Sequence, residues 1–253
     1  IIYIVKIMKY NNYEINTLNH ITIIFSSLNR VNLNFFLDSG TLLKFIRNNK
    51  KLVIGSDIDI GILENNNRKL MFLKSLLESK GFKFKLQNGF SMFYDFVRIN
   101  FPNNYKGKAK HVDLYIYRKE KKYFVCKRPH KFSKKSLSSM YLNYLINFLL
   151  KIEKKFSLKI ITPIRYFLCL IYNNFCKSVQ FKIPLKQINH QRKIFYEINS
   201  QRIFFYIPSN YINYLTYRYG PKWRIPNKNW KKDAQKIIHE DVMKIRNFKF
   251  LSI

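Results

Sequence analysis

The chain is 253 residues long, 47% of them are hydrophobic, and its 47 Lys+Arg against 14 Asp+Glu give a formal net charge of +33. The hydrophobic share supports a sizeable core and excludes wholesale disorder, and the charge predicts an anionic partner: nucleic acid, a phosphate-rich substrate or an anionic membrane surface. An AT-rich genome, which favours Lys, Asn, Ile, Phe and Tyr, would explain part of the Lys excess but less of the shortage of acids.

The first third of the chain alternates between helical and strand patterns. Apolar residues at helical spacing predict a helix over 14–30, and a short strand over 34–37 is followed by a turn and by helical residues over 42–47. Alternating polar and apolar residues over 57–63 predict a strand with one solvent-exposed face. A further helix follows and ends at Gly81.

Further strands and a C-terminal helical block complete the pattern. Four segments predict strands: "FKFKLQ", "FSMFYDFVRIN", "HVDLYIYR" and "KKYFVC". Helical spacing runs from about 136 to 177, and "KIFYEI" and "RIFFYI" then predict a hairpin before a Trp-containing tail. We therefore predict an α/β (α+β) fold. A mixed sheet with flanking helices occupies 14–130, and a C-terminal helical block with a small β-hairpin occupies 131–253, packed as one body with the first part.

Two of the scarce acids lie on one face of the 57–63 strand. Asp57 and Asp59 are two residues apart, so their side chains point to the same side, ~6–7 Å apart. Carboxylates this close repel one another unless a cation lies between them, and Mg²⁺ prefers carboxylate oxygens together with substrate phosphates. Asp113, in a later strand, is a third candidate ligand if that strand neighbours the strand of Asp57. The alternative is a surface strand that alternates Asp with Ile and binds nothing.

The turn at Ser39, Gly40 and Thr41 offers a complementary feature. Glycine lets the backbone approach a phosphate closely, and the N-terminus of the following helix presents N–H groups to it. A metal on one side and amides on the other would hold a pyrophosphate for in-line displacement.

The order of these features resembles the nucleotidyltransferase fold. In particular, "LDSGTLLKFIRNNKKLVIGSDIDIGI" is similar to the LxSGTLLG…R…DxDIDIGI segment of the LicD–fukutin family, and "YLTYRYGPKWRIPNKNW" resembles that family's C-terminal YG…W..P…W motif. The two segments occur in the family's order near the two ends of the chain, so the resemblance extends from about 15 to 240. It implies that 14–130 is a nucleotidyltransferase-like catalytic core.

The resemblance implies a phosphotransferase. Members of the family move a substituted phosphate, such as phosphocholine or ribitol phosphate, from a CDP-activated alcohol donor to a hydroxyl of a cell-surface glycan or glycolipid, as in lipopolysaccharide or capsule biosynthesis. Mg²⁺ (or Mn²⁺) would be the cofactor. The matched positions imply catalytic and metal-binding roles for Asp57, Asp59 and Asp113, donor-phosphate binding by Ser39, Gly40, Thr41 and Arg47, and a substrate pocket near Asp38, Trp223 and Arg224.

Three positions depart from the family pattern. The family usually has Gly where this chain has Lys44, and it often has acids at the positions of Gly55 and Ser56. Fewer acids imply a metal site with fewer carboxylate ligands. Whether it would bind one metal ion or two stays open.

Several candidates also have a simpler structural interpretation. Asp38 precedes a helix and is equally a helix cap. His111 shares a strand face with Asp113 and is either a general base for the acceptor hydroxyl or a surface histidine. Trp223 and Trp230 are equally core aromatic residues.

Two other functions stay open at this point. One is a nucleotidyltransferase that passes NMP to a small molecule or RNA and releases pyrophosphate rather than CMP. The other is a non-catalytic, basic nucleic-acid-binding protein, which the net charge and the 17% aromatic residues favour. The order of the motifs favours the phosphotransferase, so nucleic acid is not the partner we expect.

The cellular location is predicted from the lack of a cysteine pattern and of a membrane-spanning stretch in the sequence. The three cysteines, Cys126, Cys169 and Cys176, form neither a disulfide framework nor a zinc pattern, which fits a reducing cytoplasm. No stretch reaches the ~18 charge-free apolar residues of a membrane span. We expect a cytoplasmic protein, with peripheral contact at the inner face of an anionic membrane as a further option through the basic run 126–135.

Overall fold

The computed structural model describes residues 3–5, 10–53, 55–63, 66–86, 96–129, 178–198 and 201–226, together with individual residues between 141 and 168. The predictions for Cys169, Cys176, Trp230 and residues 130–135 lie outside the described residues.

The strands of the described residues are β1 (Tyr3–Val5), β2 (Phe35–Leu37), β3 (Asp57–Ile62), β4 (Lys83–Leu86), β5 (Phe96–Asn100), β6 (His111–Ile116), β7 (Arg118–Glu120), β8 (Tyr123–Pro129), β9 (Ser178–Pro184), β10 (Gln191–Ile198) and β11 (Gln201–Pro208). The helices are α1 (Asn12–Arg30), α2 (Ser39–Arg47), α3 (Asn67–Glu78), α4 (Leu185–Ile188) and α5 (Tyr211–Tyr219). The described residues between 141 and 168 are also helical.

A mixed five-stranded sheet forms the centre of the fold, in the order β2-β3-β6-β5-β4. Strands β3 and β6 are parallel, and the remaining neighbours are antiparallel. Two three-stranded sheets accompany it, β1-β10-β11 and β7-β8-β9. The predicted mixed α/β class is confirmed, as are the helix over 14–30, the strands around the aspartates and the C-terminal hairpin of β10 and β11.

The C-terminal hairpin packs on the aromatic core of the first part of the chain. Phe205 of β11 lies 5.5 Å from Phe25 of α1 and 5.4 Å from Phe45 of α2, measured between ring centroids. Phe25 stacks in turn on Phe35 of β2, at 5.6 Å. Aromatic pairs at these distances add a small attraction to the large apolar area that they bury. One buried cluster therefore includes residues from both parts of the chain, while the boundary near residue 130 stays a prediction.

Three details differ from the sequence-based expectation. Strand β9 covers Ser178–Pro184, a segment for which the sequence analysis predicted no element. Helix α5 is rich in tyrosine, which is a weak helix former, and it is stabilised by packing, since Tyr214 and Leu215 are fully buried. The face of β3 that carries Asp59 was expected in solvent, but that side chain is only 7% exposed.

Among the described residues, no helix combines the length and the apolar character needed to cross a membrane.

The close approach of β2 to β3 depends on Gly61. A Cβ atom at this position would lie 2.4 Å from the Phe36 ring, which is fully buried and packs against Tyr117 and Tyr214. The Phe36 ring would have to displace these neighbours to make room for a methyl group, and such displacement in a packed core costs stability.

We expect Gly61→Ala to lower the free energy of unfolding by about 1–3 kcal/mol because the added methyl group overlaps the Phe36 ring. Urea unfolding measures the loss, and the double variant with Phe36→Leu should recover part of it. An unchanged unfolding midpoint for Gly61→Ala would contradict this packing.

Candidate active site

Parallel pairing of β3 with β6 sets the geometry of the site. Asp57 lies opposite His111 in the register, and Asp59 lies opposite Asp113. In each strand every second side chain points to the same face, and residues opposite one another in the register share a face. These four side chains therefore lie on one face of the sheet. The intervening residues of both strands, Ile58, Ile60, Val112 and Leu114, are buried on the other face. The expected neighbourhood of Asp57, Asp59 and Asp113 is therefore present.

A compact cluster of potential ligands forms where these strands meet. The ligand atoms of Asp57, His111 and Asp113 all lie within 4.8 Å of one another. Asp113 is buried, whereas Asp57 and His111 are partly exposed. Two carboxylates and an imidazole form a suitable donor set for a divalent cation such as Mn²⁺, because carboxylate oxygen and imidazole nitrogen both bind first-row divalent metals. The residues present therefore fit the expected metal, with His111 as a ligand that the sequence did not predict.

Arg98 of β5 binds the same cluster. It lies opposite Asp113 in the pairing of β5 with β6, and its Nε and Nη2 donate to Asp113 Oδ1 and Oδ2 at 2.8 and 3.0 Å. Such two-point pairs between guanidinium and carboxylate are among the stronger hydrogen-bonded contacts in proteins. The hydrogen bonds that Arg98 donates to Asp113 raise the pKa of the Arg98 guanidinium above its ordinary value, so this side chain is a permanent cation of the site.

Ser39–Thr41, expected as a turn before the helix, form the first turn of α2, and this turn orients Asp59. Gly40 N donates to Asp59 Oδ2 at 3.1 Å, and Tyr115 OH donates to Asp59 Oδ1 at 3.1 Å. Thr41 Oγ1 accepts a hydrogen bond from the Asp59 backbone N–H at 2.8 Å. A Cβ atom on Gly40 would lie 3.2 Å from Asp59 Oδ2, which is a tight contact. The glycine therefore permits this approach, and the turn serves Asp59 directly as well as offering a candidate phosphate contact.

Asp38 is a buried acceptor that fastens α5 to the site. Its carboxylate is fully buried and accepts hydrogen bonds from Ser39 N, from Tyr117 OH at 2.7 Å and from Tyr214 OH. Burial, and next the charge of Asp38, raise the pKa of both tyrosine hydroxyls well above the ordinary value. Both tyrosines therefore stay protonated and donate. Asp38 also caps α2, as one interpretation of the sequence predicted.

Arg218 of α5 reaches the first residue of α2. Its Nη2 donates to Ser39 Oγ at 2.8 Å, and its guanidinium lies 4.1 Å from the centroid of the Phe181 ring. Burial alone would lower the pKa of Arg218, but Tyr117, Tyr214 and Asp38 around it raise it well above the ordinary value. Ser39 has a backbone φ of 44°, a left-handed conformation that is uncommon for a residue with a side chain. The contacts from Asp38 and Arg218 hold Ser39 in that conformation.

Arg47, Trp223 and Arg224 lie together at the C-terminal segment. The Arg47 guanidinium donates to the carbonyl oxygens of Trp223 and Ile225, the latter at 3.0 Å. Trp223 is 2% exposed and its Nε1 donates to Thr216 Oγ1, so it is a core residue. Arg224 is exposed and lies 4.9 Å over the Trp223 ring. The proposed roles of these three residues toward donor or substrate stay predictions.

Five residues of the site were missed from the sequence: Arg98, Tyr115, Tyr117, Tyr214 and Arg218. The signal for Arg98 was present, because a charged residue between the apolar Val97 and Ile99 must face away from the core. Its partner, however, depends on a strand register that one sequence does not specify. Tyr115 lies two residues after Asp113 and so on the same face.

The Asp38 contacts predict a difference between two tyrosines of α5. Tyr214→Phe removes a hydrogen bond to a buried carboxylate and should lower the free energy of unfolding by about 1.5–3 kcal/mol. Tyr217→Phe is the matched control: its hydroxyl donates at 2.7 Å to the Lys182 carbonyl at an exposed position, and its loss should cost less than about 1 kcal/mol. Thermal or urea unfolding measures both variants, and equal losses would contradict a special role for Asp38.

A family model matches the part of the chain that contains the site. Residues 32–147 match the family model described as LicD/FKTN/FKRP, nucleotidyltransferase domain. None of the curated proteins matches the chain. Among solved structures, the crystal structure of ANT(2″)-Ia in complex with adenylyl-2″-tobramycin is similar at 12% identity, over 63% of this chain and 97% of that chain, but the TM-score of 0.30 is too low to support a conclusion.

The matched segment contains the Ser39–Thr41 turn and the residues of the cluster around it, namely Asp57, Asp59, Asp113, His111 and Arg98. The LicD family implies a phosphotransferase-type activity on glycans, and this supports a transferase role for the chain. The resemblance read from the sequence is confirmed over residues 32–147, which match the nucleotidyltransferase domain of the LicD/FKTN/FKRP family.

Proposed function

We propose that this protein transfers a substituted phosphate from a CDP-alcohol donor to a hydroxyl of a cell-surface glycan or glycolipid. The observation that carries the proposal is the convergence of Asp57, His111 and Asp113 within 4.8 Å, inside the segment that matches the family domain. Phosphoryl transfer needs mainly positioning and charge stabilisation, and a cluster of this composition with a divalent cation would supply both.

The proposed chemistry is a single displacement at phosphorus. The acceptor hydroxyl oxygen forms a bond to the phosphorus that carries the alcohol, the bond from that phosphorus to the bridging oxygen breaks, and CMP leaves with the bridging oxygen. The hydroxyl proton passes to a carboxylate of the site. A divalent cation bound by Asp57, His111 and Asp113 would neutralise charge on the pyrophosphate.

The remaining residues would position these groups. Asp59 is held in one orientation by the Gly40 amide and the Tyr115 hydroxyl, which keeps a further carboxylate on the reacting face of the sheet. We assign the donor phosphates to the side of the site formed by the Ser39–Thr41 turn. Arg218, which contacts Ser39 there, supplies a positive charge on that side.

The decisive experiment follows CMP release from CDP-choline, CDP-ribitol and CDP-glycerol with Mg²⁺ or Mn²⁺ and a mixture of cell-surface glycans. We expect one donor to be turned over and Asp57→Asn to reduce that rate by at least about 100-fold, because a lost charge-stabilising group typically costs this much. Asp57 is partly exposed, so this change should not unfold the chain.

The matched control is Glu78→Gln, which removes a carboxylate from an exposed pair with Lys74 on α3 and should leave the rate unchanged. Release of pyrophosphate instead of CMP would indicate the nucleotidyltransferase alternative. Salt-dependent nucleic-acid binding that is indifferent to Asp57→Asn, without turnover of any donor, would instead support the binding-protein alternative.

The imidazole in the donor set predicts a metal preference. Mg²⁺ favours oxygen ligands, whereas imidazole suits transition metals better, so the chain should bind Mn²⁺ more tightly than Mg²⁺. His111→Asn should weaken Mn²⁺ binding at least about tenfold and bring the two affinities closer together. Titration calorimetry measures both ions, with His190→Asn, at an exposed position, as the control. If His111→Asn binds Mn²⁺ as tightly as the parent, His111 is not a ligand.

A further inference from the structure

Arg98 brings a fixed positive charge into the carboxylate cluster. It extends from β5, the strand next to β6, and both oxygens of Asp113 accept hydrogen bonds from it, at 2.8 and 3.0 Å. The Asp113 side chain is 4% exposed and the Arg98 side chain is 23% exposed, so the pair is largely shielded from solvent. His111 Nε2 lies 3.6 Å from the same Asp113 Oδ1. The Asp113 carboxylate thus contacts Arg98 and also belongs to the proposed metal-binding cluster.

The pairing with Asp113 is only weak evidence that Arg98 is present for stability. Shielded ion pairs lose hydration that their mutual attraction only partly recovers, and apolar replacements are often as stable or more stable. Arg98 has a more direct role in offsetting the negative charge of the site. Asp57, Asp59 and Asp113 place three negative charges on one face of two adjacent strands, and such charges repel unless cations offset them.

We propose that Arg98 takes the place of a second metal ion, so that the cluster binds one divalent cation. One divalent cation and one guanidinium together neutralise three carboxylates, whereas a second divalent cation would leave an excess of positive charge in a shielded site. The proposal rests on the proposed function in one respect, namely that Asp57, His111 and Asp113 bind a metal. It adds the stoichiometry and the residue that determines it.

This arrangement has a measurable consequence. Arg98 Nε is 2.8 Å from Asp113 Oδ1, so an ion bound to that carboxylate lies within about 5 Å of the guanidinium and is repelled by it. Even with water-like screening, removing one unit charge at this distance from a divalent ion should tighten its binding on the order of tenfold. If Arg98 only oriented Asp113, its removal would weaken metal binding instead.

The test is Mn²⁺ binding to the full, chelator-treated chain without donor, measured by titration calorimetry and by the EPR signal of free Mn²⁺. The parent should bind one Mn²⁺ per chain. Arg98→Gln should bind Mn²⁺ on the order of tenfold more tightly. Arg98→Lys, which keeps the charge but not the two-point contact, should stay within about threefold of the parent. Arg30→Gln, with the same loss of charge at the end of α1, should match the parent.

Each outcome decides the matter. Two Mn²⁺ ions per parent chain would overturn the proposal without any variant, even if Arg98→Gln failed to fold. Unchanged or weaker binding by folded Arg98→Gln would overturn it and leave Arg98 as a residue that orients Asp113. No Mn²⁺ binding by the parent would overturn both this proposal and the metal step of the proposed function, whereas CMP release without a divalent cation would show that the transfer activity itself stands.

Discussion

The parallel register between β3 and β6 is the constraint on which the site depends. A shift of one residue would turn every side chain of one strand to the opposite face, and the acids of β3 would then face the core. The register is fixed by apolar residues: Ile58 and Ile60 of β3 and Val112 and Leu114 of β6 are all buried on the far face. Burial on one face therefore determines which polar groups meet on the other, and the cluster of Asp57, His111 and Asp113 is a consequence of core packing.

The C-terminal part of the chain completes this region from the other side. Helix α5 contributes Tyr214 to the buried Asp38 and Arg218 to Ser39, while Arg47 binds the carbonyl groups that follow the helix. The contacts run in both directions, since donors on α5 meet acceptors at the start of α2, and a donor at the end of α2 meets acceptors after α5. The YG…W segment and the SGT turn are thus parts of one hydrogen-bonded structure, although about 180 residues separate them.

The sequence predicted the central part of the site and missed its surroundings, for physical reasons. The spacing of Asp57 and Asp59 and the apolar neighbours of Asp113 are local patterns, and a period of two residues is enough to place such side chains on a face. The pairing of Arg98 with Asp113 and the two tyrosine donors to Asp38 depend on which strands and helices become neighbours, and no local pattern contains that information. Helix α5 was missed for a related reason, because the burial of Tyr214 and Leu215 compensates for the weak helix propensity of its tyrosines.

The four acids of this region differ in how their charge is offset, and the difference shows where the site is open. Asp38 is fully buried and has neutral tyrosine donors, Asp59 has an amide and a tyrosine, and Asp113 has a guanidinium. Asp57 is the most accessible of the four and accepts a hydrogen bond from the exposed Ser56. A cation or a phosphate entering the site would therefore approach from the end of β3 where Asp57 lies.

The large net positive charge of the chain would also act on an anion that approaches the site. The excess of 47 Lys+Arg over 14 Asp+Glu dominates the field of the chain at longer range. A field of this sign concentrates anions and accelerates their encounter with the protein, and a CDP-linked donor is an anion. Under the proposed function, the local cluster of acids and the basic remainder of the chain would be complementary. The acids would retain a divalent cation at short range, and the lysines and arginines would attract the pyrophosphate of the donor.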